Sequence, residues 1–378
     1  MRDLPFSRII AIILAAGFAI GGWRSWHAWH DGRPLAGSGE GIAHIELLTT
    51  QEKDNWIRSQ IYSFNLENFK KYQIVAAYKD SREAMTAIIN NKEHPVLWSP
   101  DSPIWITRAS AVWPREKAQL VNVNDPQSFR VFLKTPVVFL TTRAKAVFLR
   151  PALSSQHPWS AIHDFGTDHA AAPWGKVRWR HADPLTSNSG TLTLGMMLAE
   201  YGRDHAAAKS IMEVAHSEDF GRFLQETEQA ASYDPACALG SAAVAREFAA
   251  DPSTCDFIVT YENLALAAAA KQQDLVVIYP NPTMVAEQSL CMLNADWVSS
   301  EQRAGAQAFM DYISRPKALQ DGLKYNMRPA LQESATTLDT TLAQRSSQGF
   351  QSMFIQQSTP PYDALNAAAD QWNKRVRR

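Results

Sequence analysis

From residue 44 to residue 112 short apolar runs alternate with helical stripes, and this alternation restricts the possible folds more than any other feature of the chain. Residues 44–48, 72–77 and 96–98 read as buried strands. Between them Trp56, Ile57, Ile61 and Phe64 share one helical face, Ala84, Met85, Ile88 and Ile89 share another, and residues 104–112 look helical again. Strands that alternate with helices build a parallel sheet, so the expected class is α/β. The rhythm resumes later, with strands expected at 136–141, 256–262 and 275–279 and helices at 217–227, 241–250 and from Asn263 onward. Ser299 and Gln302 have capping-box spacing ahead of a helix to about Arg315, and a last helix runs from about Tyr362.

Polar residues collect where these strands end. In open α/β sheets the ligand crevice lies beyond the carboxyl ends of the strands, which gathers Thr49, Thr50 and Ser99 at one edge. Thr49 and Glu52 also have capping-box spacing, and Ser99 precedes a proline turn, so each has a structural reading too. Residues 177–201 repeat the pattern. Val177, Trp179 and His181 alternate with Arg178, Arg180 and Ala182 as in a strand, Asp183-Pro184 ends it, and a helix with two apolar rows follows. Between them Ser187, Ser189, Gly190 and Thr191 bring hydroxyl and backbone N–H donors to a helix start, where an anion is favoured. The same residue types are preferred as plain N-caps. Tyr261 and Glu262 close a further strand; the tyrosine can donate to a ligand, whereas the glutamate opposes a bare dianion and leaves non-anionic ligands open. Arg143 and Arg328 are candidate charge partners.

The 378 residues, 46% hydrophobic with twelve tryptophans, suffice for two domains or one two-lobed unit. A net charge of −1 and the lack of any reading motif argue against nucleic acid as a partner. No nucleophile elbow, phosphate loop or H-E-x-x-H stands in the chain, so no enzyme is expected. His163, Asp164, Asp168 and His169 read as solvated surface, and neither a metal nor a cofactor is expected. Cys237, Cys255 and Cys291 lack CxxC spacing; a Cys237–Cys255 disulfide and three free thiols are both open. Near the start, Arg2 and Arg8 precede an apolar run to Trp23, shorter than the roughly 20 residues of a membrane span. A retained signal anchor is expected over residues 1–30, with a cleaved signal peptide as the alternative, then a glycine-rich linker at 31–41.

Several motifs in order resemble bacterial extracellular solute-binding proteins of the type II periplasmic-binding-protein fold. They are TTQEKDNW (49–56), LWSPDSPIW (97–105), KTPVVFLTTRAKA (134–146), ADPLTSNSGTLTL (182–194), DFIVTYEN (256–263), IYPNPT (278–283), DWVSSEQRAGAQAFMDYI (296–313) and NMRPA (326–330). The resemblance is to the branch related to molybdate- and phosphate-type proteins, sometimes associated with von Willebrand factor A domains. It implies two α/β lobes joined by two crossover strands, the first lobe formed by residues 42–136 and 264–378 and the second by 137–263. It also implies a small, anionic solute held between the lobes, in the periplasm at the cytoplasmic membrane, for uptake through an ABC permease. The alternative is an envelope scaffold that docks a von Willebrand A protein. Ser189-Gly190-Thr191 matches the S-G-T element that phosphate-type members place at the oxyanion. Thr49-Thr50 and Asn326-Met327 depart from the usual serines and glycine–phenylalanine.

Overall fold

A computed structural model describes residues 41–231, 240–330 and 342–377. The chain starts as expected. β1 (Ala43–Thr49) leads through a 3-10 turn (Gln51–Lys53) to α1 (Asp54–Glu67), β2 (Tyr72–Tyr78), α2 (Ser81–Ile89), β3 (Leu97–Ser99) and α3 (Pro103–Val112). β1 pairs in parallel with both β2 and β3, and α1 buries Trp56, Ile57, Gln60 and Phe64. Trp56, Ile57 and Phe64 pack into one core with Ile45, Leu47, Trp98, Trp105 and Phe309.

Next comes β4 (Phe129–Thr142), a 14-residue strand that runs through both halves of the molecule. From Phe129 to Pro136 it pairs antiparallel with β8 (Thr283–Met292), and from Val137 to Thr142 with β6 (Phe257–Tyr261) and β7 (Leu275–Ile278). Its alternate side chains enter opposite cores. Val137 and Phe139 face one with Trp159, Trp179 and Met196, while Val138 and Leu140 face another with Phe248, Ile258 and Val277. The second sheet is therefore covered on both sides, by α4 (Arg143–Leu153), α5 (Pro158–Gly166) and α6 (Asn188–His205) and by α9 (Ser241–Ala250) and α10 (Glu262–Lys271). α7 (Ile211–His216) and α8 (Glu218–Thr227) complete this lobe, and β5 is only Trp179–Arg180. The remaining elements are α11 (Ser300–Ile313), α12 (Pro316–Asp321), β9 (Arg328–Pro329), β10 (Gln356–Gln357) and α13 (Tyr362–Arg375).

Three expectations need correction. The second crossover is β8, so α10 and β7 pack with the second lobe and the chain returns near residue 283, not 264. β8 escapes the reading because it is buried on both faces, so it shows no alternation, and because Glu287, Gln288 and Ser289 also break the apolar run that marks the other buried strands. α13 does not rejoin the first lobe either: Ala364, Ala367, Ala368 and Trp372 pack with Met196, Phe220 and Leu224 of the second. The Thr49–Glu52 capping box is not formed, since the 3-10 turn intervenes before α1, whereas the Ser299–Gln302 box is complete. Cys255 and Cys291 are buried free thiols; Cys237 and the expected N-terminal anchor and linker lie outside the described residues.

Two glycines of α6 set opposite expectations. A Cβ at Gly190 would fall 2.2 Å from the carbonyl oxygen of Ala182, a backbone atom that cannot yield, while one at Gly202 would meet only the Ile211 and Val214 side chains at 3.6 Å or more. Gly190→Ala is expected to lower stability by about 1–3 kcal/mol or more, and Gly202→Ala to raise it by about 0.5–1 kcal/mol. Urea midpoints of the two variants check both signs.

Candidate functional site

The ends of β1 and β3 lie side by side, Thr49 opposite Ser99, and the loops beyond them form the first-lobe wall of a cleft. Their hydroxyls are already committed. Thr49 Oγ1 donates to Ser99 O at 3.4 Å, and Ser99 Oγ to Ser289 O at 2.7 Å. Thr50 Oγ1 donates to Asp101 Oδ1 at 2.6 Å. Below them Lys53, buried without any exposed side-chain surface, donates to Thr50 Oγ1 (2.9 Å), Asp101 Oδ1 (2.8 Å) and Gln288 Oε1 (2.8 Å). Asp101 N–H in turn donates to Ser81 Oγ at 3.1 Å, which ties three strand-end loops together.

The second-lobe wall is the start of α6. Ser187 and Ser189 hydroxyls lie 3.3 Å apart, Ser189 also bonds Ser241, and Thr191 Oγ1 donates to Pro184 O (3.0 Å) and Ser187 O (3.1 Å). Gly190 is the close-approach point described above. The residue that reaches across is Asn188: its Oδ1 accepts from Trp105 Nε1 of the first lobe at 2.7 Å, and its Nδ2 donates to Tyr261 OH at 2.7 Å. Further bonds cross the cleft from Arg82 N to Thr186 O (3.2 Å), from Arg82 Nη1 to Asn366 Oδ1 (3.1 Å) and from Asn263 Nδ2 to Glu52 O (2.9 Å). The lobes are closed on one another.

Glu262, expected beside the ligand, is instead spent within the protein. It accepts from Arg328 Nε (2.7 Å) and Nη2 (2.6 Å) and from the Tyr279 hydroxyl, and is fully buried. Arg143 holds Gln273 O and Ser347 O, away from the cleft. His163 pairs with Glu226 at 3.0 Å and His169 lies 4.0 Å from Asp164, at an exposed surface.

The unsatisfied polar atoms of the cleft lie on residues that sequence reasoning missed. Arg82 Nε and Nη2, Thr186 Oγ1, Glu52 Oε2, Gln288 Nε2 and Ser289 Oγ are buried without a hydrogen-bond partner. The Arg82 guanidinium lies 5.3 Å from the Trp105 ring centre and 6.0 Å from that of Tyr362. Burial and the charges of Asp101 and Asp80 push the Glu52 carboxyl up to about 8, and burial with Asp101 pushes Asp80 up to about 6. Burial likewise carries Tyr261 well above its usual range. A strand-end signal was available for Glu52 and Asp101, which stand in TTQEK and SPDSP; Arg82, inside a helical stripe, gave none.

This geometry defines a class: two α/β lobes hinged on two long strands, with polar groups converging from both lobes on the cleft between them, as in type II periplasmic binding proteins. A family model for bacterial extracellular solute-binding protein matches residues 63–320, and the chain belongs to that family. Solved structures share the fold across nearly their whole length. The sulfate-binding protein SubI from Mycobacterium tuberculosis H37Rv is 16% identical with a TM-score of 0.59, covering 88% of this chain and 97% of that one. The periplasmic binding protein MotA from A. tumefaciens B6, in complex with glucopine, is 10% identical with a TM-score of 0.61, covering 88% and 100%. The ferric binding protein from Campylobacter jejuni is 12% identical with a TM-score of 0.56, covering 88% and 97%. No curated protein matches the sequence. Family and fold are those of binding proteins that serve transport, located outside the cytoplasm, and not of enzymes.

Two buried pairs behind the cleft yield predictions. Glu262→Ala leaves the Arg328 guanidinium without its carboxylate and is expected to cost about 3–5 kcal/mol in denaturant unfolding. His181, which precedes the loop to α6, contacts Glu228 at 3.1 Å and Ala182 O at 2.8 Å. Burial disfavours its protonation, but the Glu228 charge and hydrogen bond prevail and hold it above its usual 6.5. Its contribution to stability is therefore complete below the unfolded value and fades as pH rises through the higher folded one. Melting temperatures across that window are expected to fall for the native chain and to flatten in Glu228→Gln.

Proposed function

We propose that this protein captures a small solute bearing an anionic group by closure of its two lobes, and hands it to an ABC permease, with Arg82 as the principal contact for the negative charge. The observation that carries the reading is the pair Nε and Nη2 of Arg82, buried between the lobes without a partner. Those two atoms form the side-on fork of a guanidinium, which matches the two oxygens of a carboxylate or a larger oxyanion. Thr186, whose hydroxyl is also unpartnered and whose carbonyl accepts from Arg82 N, stands beside it. The anion contact is thus moved one loop away from Ser187, Ser189, Gly190 and Thr191, whose role becomes that of shaping the second-lobe wall. Thr49, Thr50, Ser99 and Tyr261 support that wall and its counterpart through the bonds given above.

Closure follows from the same contacts. Trp105, Asn188 and Tyr261 form a chain of donors and acceptors that is complete only when the lobes meet. A ligand that accepts from Arg82 Nε and Nη2 removes the cost of burying those two donors unsatisfied and so favours the closed state. The apolar N-terminal run after Arg2 and Arg8 would keep the protein at the outer face of the cytoplasmic membrane, close to a permease.

Titration calorimetry against sulfate, phosphate, molybdate and small carboxylates tests the proposal. Arg82→Ala is expected to weaken binding of the anion that the native protein takes by about 30-fold or more, from the loss of a buried charge partner. Ser189→Ala is expected to weaken it far less. An anion bound equally well by native protein and Arg82→Ala would overturn the assignment.

A further inference from the structure

The first-lobe side of the cleft holds more negative charge than an anion site should. Glu52, Asp80 and Asp101 approach one another there, and Lys53 neutralises Asp101 at 2.8 Å. Second-lobe groups approach the other two: Asn263 donates to the main-chain carbonyl of Glu52, and a Cβ at Gly240 would sit 3.0 Å from both carboxylate oxygens of the part-buried Asp80. Glu52 is 4% exposed and its Oε2 has no partner. An independent group points to the same place. Gln288, 1% exposed, accepts from Lys53 through Oε1 and leaves Nε2 unsatisfied.

Burying carboxylates together is unfavourable unless a cation or a proton joins them. Lobe closure imposes that burial here, because the covering groups belong to the second lobe. We infer that the solute is amphoteric: besides the anionic group held by Arg82 it carries an ammonium or similar cationic group that lies against Glu52 and Asp80, so that amino-acid-like molecules are the ligand class. The inference rests on the anion-capture reading and narrows it. Arg82 and Glu52 then recognise opposite ends of one molecule, and Gln288 Nε2 serves an acceptor on it. The charged and titratable groups facing Glu52 are Asp101, Asp80, Lys53 and the Tyr261 hydroxyl. With the Glu52 carboxyl pushed up to about 8 in the closed form, closure near neutral pH without a cation leaves it protonated. A cationic group takes the place of that proton, so closure on a cationic ligand draws none from the buffer.

The experiment is calorimetry of the full chain at neutral pH against the standard amino acids and 4-aminobutanoate, alongside butanoate and butylamine, in two buffers of different ionisation enthalpy. At least one amino acid is expected to bind about tenfold or more tightly than the matching carboxylate or amine, since hydrogen bonds to charged groups carry that much discrimination. Closure on butanoate takes up a proton, so its binding enthalpy is expected to change with the buffer, whereas that of the amino acid is expected to stay the same. Glu52→Gln, with Asp80→Asn as a second variant and thermal melts as the folding control, is expected to remove the preference for the amino acid while leaving carboxylate binding in place. Carboxylates that bind as well as amino acids, or a preference that survives both variants, would overturn the amphoteric assignment and leave anion capture standing. Silence across this panel would overturn the amphoteric assignment alone, and amines that bind without any carboxylate doing so would overturn both.

Discussion

The antiparallel pairing of β4 with β8 is the constraint on which the rest of the structure depends. Both strands belong to the first sheet over one part of their length, and β4 continues into the second sheet without a break. The lobes therefore share backbone hydrogen bonds at their junction and meet on a fixed line. Thr283, where β8 begins, donates to Val137 O in the middle of β4, so the junction is tied from both strands. Everything that closes across the cleft, from Trp105 on one side to Asn188 on the other, is placed by that line.

Within the cleft, burial decides what each polar group does. The hydroxyls of Thr49, Thr50, Ser99, Ser189 and Thr191 find partners inside their own lobes, as buried polar groups must. Long side chains reach further. Arg82 from α2, Glu52 from the 3-10 turn and Gln288 from β8 keep buried atoms unsatisfied, and such exceptions to the pairing rule mark where binding chemistry concentrates. Glu262 and Arg328 illustrate the opposite outcome. Their bidentate contact, with Tyr279 beside it, consumes both charges within the scaffold.

Much of the fold was legible because periodicity survives wherever a helix or strand has one wet face. α1 and α2 carry their stripes where the sequence places them, α11 starts at its expected capping box, and the strand ends at Thr49, Ser99 and Tyr261 all reach the cleft region. β8 was not legible, because a strand buried on both faces has no alternation to read and Glu287, Gln288 and Ser289 interrupt the apolar run that revealed β6 and β7. α13 has a clear stripe, yet a stripe does not say which lobe it covers; only the pocket among α6, α7 and α8 answers that. For the site, hydroxyls at a helix start suggested the anion contact, but the same hydroxyls are the side chains that satisfy nearby backbone most readily. Arg82 reads as the polar face of α2 until the second lobe is folded over it.

By itself the sequence determined the α/β class, the order of the main elements and the gathering of polar loops at the strand ends, since those follow from local periodicity and turn chemistry. The tertiary structure alone decided where the chain returns between lobes, which polar atoms stay unsatisfied and how burial and neighbouring carboxylates raise the proton affinity of Glu52 and Asp80. The physical reason is range. Periodicity is set by neighbours a few residues away, whereas the desolvation of Arg82 and the charge coupling of Glu52 and Asp80 to Asp101 arise when segments from two lobes exclude water together.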